Sequence, residues 1–516
     1  MGVFYASLAS DIDPNWDESE RNRWLFSEKT IDRSVKLKLN EVELLAQDLL
    51  ANNFKKIEVN KWGKIVREQK KKVLSHIDIC NIFIDGSKEL KQKPAKNRVM
   101  FARSSWHTYK DGVWLECEDW IIELELQSLL ESIEKSMGFQ YTAGSHRSIL
   151  TFIQQKLYVP TDQLDSNNDW INVKNGVYDL KTEKLLPHSP DHKLTRQMNV
   201  IFNPMAQSDV WGNFKKQVIG FYNIMNEWEP DEEAIRFLDE VIGYSFTTSV
   251  QHEIMIWCLG EGRNGKGVLF HAIKSIAGSS AMDINLNTLE RNAYQLAMIG
   301  GKTVLLCTEA DKKVDIANDG TIKAIVSGEG VMVRQIRERP FVLESKAKIW
   351  WSFNNPPNVK DTSEGFWRRV KVIPFHRNFD EDSADKDLKS KITDEHVKSV
   401  IFNDAILAYN RVKREGSFTQ SRLVTDRTSE YKEEENVVQS FVRDCCDLKK
   451  GEKVPSNTLY SEYRDWCNRS GYHPFSIKNF KAEMKRLKIH NKRLSAGVVY
   501  LDIKVKDAIT KAKVWN

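Results

Sequence analysis

At 516 residues the chain exceeds what one ordinary core accommodates, so roughly three or four domains are expected. A content of 41% hydrophobic and 29% charged residues is that of a soluble globular protein. No apolar run approaches the roughly 20 residues of a membrane span, and no membrane partner is expected. The start, Met1-Gly-Val-Phe-Tyr5, lacks the basic-then-apolar pattern of a secretory leader. Seven scattered cysteines without a Cys-x-x-Cys pair fit neither a disulfide framework nor a zinc site, which points to a reducing compartment. The net charge of +5 is unevenly spread: residues 448–516 carry 16 Lys and Arg against 6 Asp and Glu, leaving the remainder net acidic. A basic module on an acidic body suits a polyanionic partner.

Residues 1–97 are predicted to form an N-terminal accessory domain, polar and helix-prone, with Leu44, Leu45, Leu49 and Leu50 on one helical face and a basic run at Lys70, Lys71 and Lys72. Asp11 and Asp13 have the spacing of paired catalytic carboxylates, but no His or third acid on a strand follows, and they read as surface. Lys91 to Lys96, containing Pro94, reads as a linker. Across 98–249, Asp111-Gly112 and Asn175-Gly176 each predict a β-hairpin, Trp120 to Glu134 an amphipathic helix, and Asp231 to Gly243 a helix capped by its terminal glycine.

The region 250–380 carries the chemistry. Trp257-Cys-Leu-Gly-Glu-Gly-Arg-Asn-Gly-Lys-Gly-Val-Leu-Phe270 reads as strand, phosphate loop and helix. Gly260, Gly262 and Gly265 permit the tight turn that aims backbone N–H groups at phosphate oxygens. Asn264, Gly267 and Val268 complete the loop, and Lys266 supplies charge for the β- and γ-phosphates, so ATP is the expected cofactor. Gly267 stands where Ser or Thr would give Mg²⁺ a hydroxyl.

Gly301 to Glu309 is a strand ending in acid: Glu309 is placed to activate water and bind Mg²⁺, and Asp311 could supply a second metal carboxylate where Thr308 does not. Ser327 to Leu343 predicts a hairpin that would present Arg337 and Arg339 to a nucleic-acid strand; an ordinary surface hairpin is the rival. Lys348 to Pro357 is a strand ending at Asn354, suited to orienting water and sensing the γ-phosphate. Arg368 and Arg369 precede the next strand, and such a pair suits the charge of a transferring phosphoryl group in a neighbouring subunit.

Residues 381–431 predict a helical connector, Ile392 to Arg414 followed by a polar stretch, and 432–516 a winged helix. There Ser456 to Gly471 is a first helix. Ser476 to Leu487 is a second, apolar at Ile477, Phe480, Met484 and Leu487 and basic at Lys478, Lys481, Lys485 and Arg486. Two strands around Lys492 and Arg493 would form the wing, and the second helix would enter a major groove. The alternatives are a protein-docking winged helix or a solvated basic helix.

This motif order resembles the superfamily 3 helicases of the poxvirus and phage-satellite type, close to the replication helicases of staphylococcal pathogenicity islands. The resemblance covers about residues 98–380, including a pre-helicase domain (98–249) carried by Asn172-Val-Lys-Asn-Gly-Val-Tyr-Asp-Leu180, His188-Ser-Pro190 and Leu238-Asp-Glu-Val-Ile-Gly243. It implies an α/β fold: an AAA+ motor domain, a mainly helical or mixed N-terminal region and a C-terminal winged helix. It also implies a homo-hexamer moving 3′-to-5′ on single-stranded DNA, and a replication initiator binding duplex origin DNA in a bacterial cytoplasm. An ATP-binding origin-recognition protein with weak hydrolysis and a helicase–primase are the alternatives.

Overall fold

The structure is a computed structural model; it describes residues 57–59, 65–67 and 74–506, apart from 138–140, 286–291, 309–314, 317–318, 336–338, 355–357, 360–363, 381–383, 435, 471, 473 and 496. The leucines at 44–50, the lysines at 70–72, Asp11 and Asp13 lie outside the described residues, as do Glu309, Asp311 and Arg337. No helix among the described residues is long and apolar enough to cross a membrane.

Contacts divide the chain into two units, 1–107 with 116–159, and 108–115 with 160–516. The first unit packs helices His76–Asp85, Asp119–Met137 and Ala143–Lys156 around Phe83, Trp106, Leu126, Leu130 and Ile153. Its first helix starts at a capping box in which Ser75 and Asp78 satisfy each other's backbone N–H. The stretch expected to be a linker, Lys91 to Lys96, is instead a packed turn. Ala95 is fully buried, and the Ala95 and Lys96 N–H groups donate to Phe83 O and Ile84 O at 3.2 and 3.1 Å.

In the second unit the predicted Asn175-Gly176 hairpin joins Trp170–Val173 to Gly176–Asp179, and Lys184–Leu186 adds a third antiparallel strand. Asp111 and Gly112 both take left-handed backbone, at φ 50° and 85°, as a two-residue hairpin turn demands. Beyond these lies a five-stranded parallel sheet: β1 Met255–Leu259, β2 Ala281–Asp283, β3 Val304–Cys307, β4 Lys348–Phe353 and β5 Val370–Pro374, in spatial order β2-β3-β4-β1-β5. Every residue of β1, β3 and β4 is buried, because both faces are covered.

The period of two sorts these strands between two cores. Ile256, Cys258, Val304, Leu306 and Trp350 face one, built with helices α1 Asp209–Val218, α2 Glu232–Phe246, α3 Lys266–Ala277 and α4 Glu395–Glu415. Trp257, Leu305, Ile349 and Trp351 face the other. Trp257 sits at its centre, edge-on to Trp351, Phe366, Trp367 and Tyr431 at 5.4 to 6.1 Å between ring centroids.

Two expectations about helices are corrected. Gly243 does not cap α2; the helix continues to Phe246, and a Cβ at Gly243 would lie 2.1 Å from Ala405 O of α4. The glycine is there because two helix backbones approach closely. The polar stretch after α4 contains helix α5, Arg422–Glu434, which crosses the 431/432 boundary and packs on β5: Val372 N–H donates to Thr428 Oγ1 at 3.0 Å, and Tyr431 is fully buried.

Buried charges tie the helices together. Glu240, without exposed surface, accepts from Arg411 Nε at 3.0 Å and from the Thr419 N–H and hydroxyl at 2.7 and 2.6 Å. Lys215 of α1 bridges Asp239 of α2 and Asp404 of α4. Burial pushes the Asp239 carboxyl up to about 6 against the pull of that lysine. Lys348, at the start of β4, donates to Thr247 O, Ser249 O and Lys346 O at 2.5, 3.2 and 3.0 Å and lies 4.8 Å from the Tyr244 ring. Its three donors are all used.

The C-terminal region has its own core. Helices α6 Val437–Cys445, α7 Ser456–Ser470 and α8 Ile477–Arg486 bury Phe441, Tyr463, Trp466, Phe480 and Met484. Strands β6 Lys453–Pro455, β7 Asn491–Leu494 and β8 Gly497–Leu501 form an antiparallel sheet in the order β6-β8-β7. Ser476 caps α8 by accepting from Asn479 N–H. Ile477, expected on the apolar face, is 40% exposed because it occupies the first position of the helix, beyond the reach of the core.

Candidate functional site

The loop from Gly260 to Gly265 leaves the end of β1 and enters α3. Gly262 and Gly265 hold φ of 108° and 88°, the left-handed region that favours glycine. Gly260 is required for another reason: a Cβ there would sit 2.1 Å from Asn264 Nδ2 and 2.4 Å from Phe375 O. The loop is fastened to its neighbours, with Gly260 N–H donating to Phe353 O at 3.3 Å and Asn264 Nδ2 to Phe375 O at 3.2 Å. Helix α3 begins without a side-chain cap; Val268 N–H donates back to Gly265 O at 3.0 Å, and an anion at the helix start would meet the positive end of the helix dipole.

Lys266 is 5% exposed. Its Nζ donates to Gly260 O at 2.6 Å, Asn264 Oδ1 at 3.0 Å and Asn354 Oδ1 at 3.2 Å. These partners are neutral, and burial pushes the ammonium pKa down. Among the described residues this cation is positioned but not neutralised, which is what a compact anion needs. Asn354, exposed at the tip of β4, is thereby brought to the loop as its sequence position predicts.

No cluster of three or more His, Cys, Asp and Glu among the described residues could hold a metal ion, and Glu309 and Asp311 lie outside them. A Cβ on Gly267 would meet nothing within 4 Å, so the absent hydroxyl is not a matter of space.

Beside the loop opens a cavity of about 490 Å³. Phe214 and Val218 of α1, Val268 of α3, Phe379 and Leu388 give it apolar walls, and Arg263 stands at its edge. Sequence reasoning placed Val268 at the site but not the walls from α1, Phe379 and Leu388. The Phe214/Val218 spacing of four was the available signal, and nothing in it says what that face covers.

The two arginines differ. Arg368 has a 61% exposed side chain with one ion pair, Nη2 to Glu253 Oε2 at 2.7 Å. Arg369 has a 9% exposed side chain and spends its donors inside its own chain: Nη2 on Glu253 Oε2 at 2.8 Å, Nε and Nη2 on Ser327 Oγ at 3.2 and 2.8 Å, and Nη1 on Gly365 O. Arg369, with Arg368, was expected to reach across to a neighbour; within this chain its guanidinium is engaged, and Arg368 is the more exposed of the two. Glu253 and Ser327, the anchors, were not foreseen.

The predicted hairpin pairs Gly330–Val333 with Phe341–Glu344, with Val331 opposite Leu343 and Val333 opposite Phe341. Arg339 is exposed just before the second strand. On α8, Lys478, Lys481 and Lys485 are exposed at spacings of three and four and so form one stripe. Arg486 is exposed but paired with Glu483 at 2.8 Å, and Lys492 and Arg493 are exposed on β7. The cations of α8 and β7 belong to the C-terminal region, and Arg339 to the hairpin.

Three family models match the chain: D5 N terminal like over residues 13–243, a family of unknown function (DUF5906) over 258–369, and poxvirus D5 protein-like over 433–507. The first and third are D5-type models, and each covers less than half of the chain. The chain is 26% identical over 367 residues to the "Putative helicase L207/L206" of Acanthamoeba polyphaga mimivirus, covering 66% of this chain and 37% of that one. It is 22% identical over 429 residues to the "Putative helicase 022R" of Frog virus 3, covering 67% and 44%. The chain thus spans less than half the length of these relatives. Among solved structures it is similar to the apo NrS-1 C terminal region, with a TM-score of 0.41 at 11% identity over 78% of this chain and 95% of that one. The relatives named are viral, so the likeness to staphylococcal islands rests on the motif order alone.

Proposed function

We propose that this chain is an ATP-driven DNA helicase and the replication initiator of a mobile element, working as a hexameric ring that moves 3′-to-5′ on single-stranded DNA. The observation that carries the reading is Lys266, buried in a glycine loop at an uncapped helix N-terminus and held, among the described residues, by neutral oxygens. In this reading Lys266 and the first turn of α3 bind the β- and γ-phosphates. The neighbouring cavity takes the base and ribose between Phe214, Val218 and Phe379. Asn354, tied to the Lys266 ammonium, faces the γ-phosphate end, where Glu309 would polarise water. Mg²⁺, when bound, would offset phosphate charge, with Glu309 and Asp311 as its proposed ligands. Arg368 would approach the nucleotide of the adjoining subunit, and Arg337 and Arg339 would meet a single strand.

The C-terminal module, read as a winged helix, would lay α8 against origin duplex, with the Lys478, Lys481 and Lys485 stripe on phosphates. A cytoplasmic site of action, in a bacterial host, belongs to the same reading. Gly267 favours a second one, an ATP-binding initiator that hydrolyses weakly for want of a metal-binding hydroxyl.

Steady-state ATP turnover with and without single-stranded DNA separates the two. A motor turns over and responds to the strand; a weak-hydrolysis initiator binds ATP with little turnover in either condition. For the trans role, Arg368→Ala protomers mixed with Glu309→Gln protomers under subunit exchange should regain part of the hydrolysis. Mixed rings that regain none would contradict it.

A further inference from the structure

Three segments far apart in sequence meet behind the arginine pair: the turn Val250 to Glu253, the end of the helix Asp319–Ser327, and Arg368-Arg369. Arg369 places two donors on Ser327 Oγ, at 3.2 and 2.8 Å. Ser327 is the last residue of its helix, and Gly330 opens the hairpin three residues later. Between them Gly328 takes φ +71°, and a Cβ there would lie 2.6 Å from Val250 Cγ2, so the helix end and the turn are in contact. On the other side, a single oxygen, Glu253 Oε2, carries both guanidinium groups, Arg368 at 2.7 Å and Arg369 at 2.8 Å. Glu253 is itself set by left-handed backbone, φ 47°, with its N–H on Val250 O at 3.0 Å. Arg369 therefore touches the hairpin root through Nε and Nη2 and, through the same Nη2, shares an anion with the exposed Arg368.

We propose that Arg369 is a positioning residue that couples the hairpin Gly330–Glu344 to Arg368, so that a strand held by the hairpin alters how Arg368 is presented to the neighbouring copy's nucleotide. The proposal rests on the motor reading above. The two-state element is the Arg369–Ser327 contact. With Ser327 in place, Arg369 divides its donors between the hydroxyl and Glu253, and Arg368 shares the carboxylate. When the hairpin root shifts and takes Ser327 with it, Arg369 turns its donors onto Glu253, and Arg368 is released from the shared oxygen. Glu253 cannot hold both groups equally in the two states, which supplies the differential interaction a coupling requires.

The test uses the full chain and the variant Ser327→Ala, with Ser327→Thr as the conservative control that keeps the hydroxyl. ATP turnover is measured with and without a single-stranded oligonucleotide, together with oligonucleotide affinity and the thermal midpoint. The expected result is basal turnover and strand affinity within about twofold of wild type, strand-stimulated turnover reduced at least about fivefold in Ser327→Ala, and stimulation retained in Ser327→Thr. A Ser327→Ala chain stimulated as fully as wild type overturns the coupling while leaving the motor reading in place. Loss of basal and stimulated turnover together, with a lowered midpoint, marks Ser327 as merely structural and also overturns it. A wild type whose hydrolysis ignores the strand overturns the motor reading, and the coupling with it.

Discussion

The phosphate loop and the C-terminal module both rest on lysine, and they use it in opposite ways. Lys266 is one buried cation gripped by three neutral oxygens at the mouth of a helix, a device for a single compact anion at a fixed place. Lys478, Lys481 and Lys485 are exposed and spread along a helix face, which suits a repeating polyanion whose exact register is open. In the proposed reading, the environment of a charge, more than its count, separates nucleotide from nucleic acid. Lys348 is a third case, a buried lysine whose donors are all consumed by carbonyl oxygens and which has nothing left for a ligand.

The sharpest way to break that comparison is Lys266→Ala. Removing a preorganised charge from a desolvated site should lower ATP turnover at least about a hundredfold, and duplex affinity of the same variant should stay near wild type. Equal losses in both would merge the two regions into one site.

Lys348→Met should act on stability instead, costing about 2–4 kcal/mol because buried carbonyls lose their donor; thermal and denaturant midpoints report it. Burial holds this ammonium well below 10.5. Between the folded and unfolded values the unfolded chain binds the extra proton, so Lys348 makes stability rise with pH in that window, and the variant should lose this gain.

Replacing Lys478, Lys481 and Lys485 together by Ala should reduce the slope of log affinity for duplex against log salt by about 2 to 3, near 0.9 for each phosphate contact. An unchanged slope would move duplex contact away from α8. The smallest effect belongs to Gly267→Ser. The position has room for a side chain, and the folded chain should be unchanged or stabilised by up to about 1 kcal/mol in its midpoint.

Much of the 250–380 region was legible because its signals are local. The apolar run of β1, the glycines of the loop and the helix behind them lie within a couple of dozen residues, and the Asp111-Gly112 turn announces itself through the left-handed backbone it needs. What escaped depends on partners distant in the chain. Gly243 looks like a helix end until Ala405 O arrives 2.1 Å from where its Cβ would be. Tyr431 looks like part of a polar connector until α5 folds it against Trp257. Arg368 and Arg369 are indistinguishable as neighbours in sequence, and only Glu253 and Ser327 separate a buried strut from an exposed arm. Pro94 suggests an open linker because a sequence cannot show that Ala95 is fully buried.

Strand displacement tests the central claim most directly. The full chain is given ATP and a labelled duplex bearing a single-stranded tail, and release of the labelled strand is followed for wild type and Lys266→Ala. The account predicts ATP-dependent release by wild type, with a 3′ tail preferred over a 5′ tail, and none by Lys266→Ala. No release by a wild type that binds the substrate, or equal release by Lys266→Ala, would contradict it.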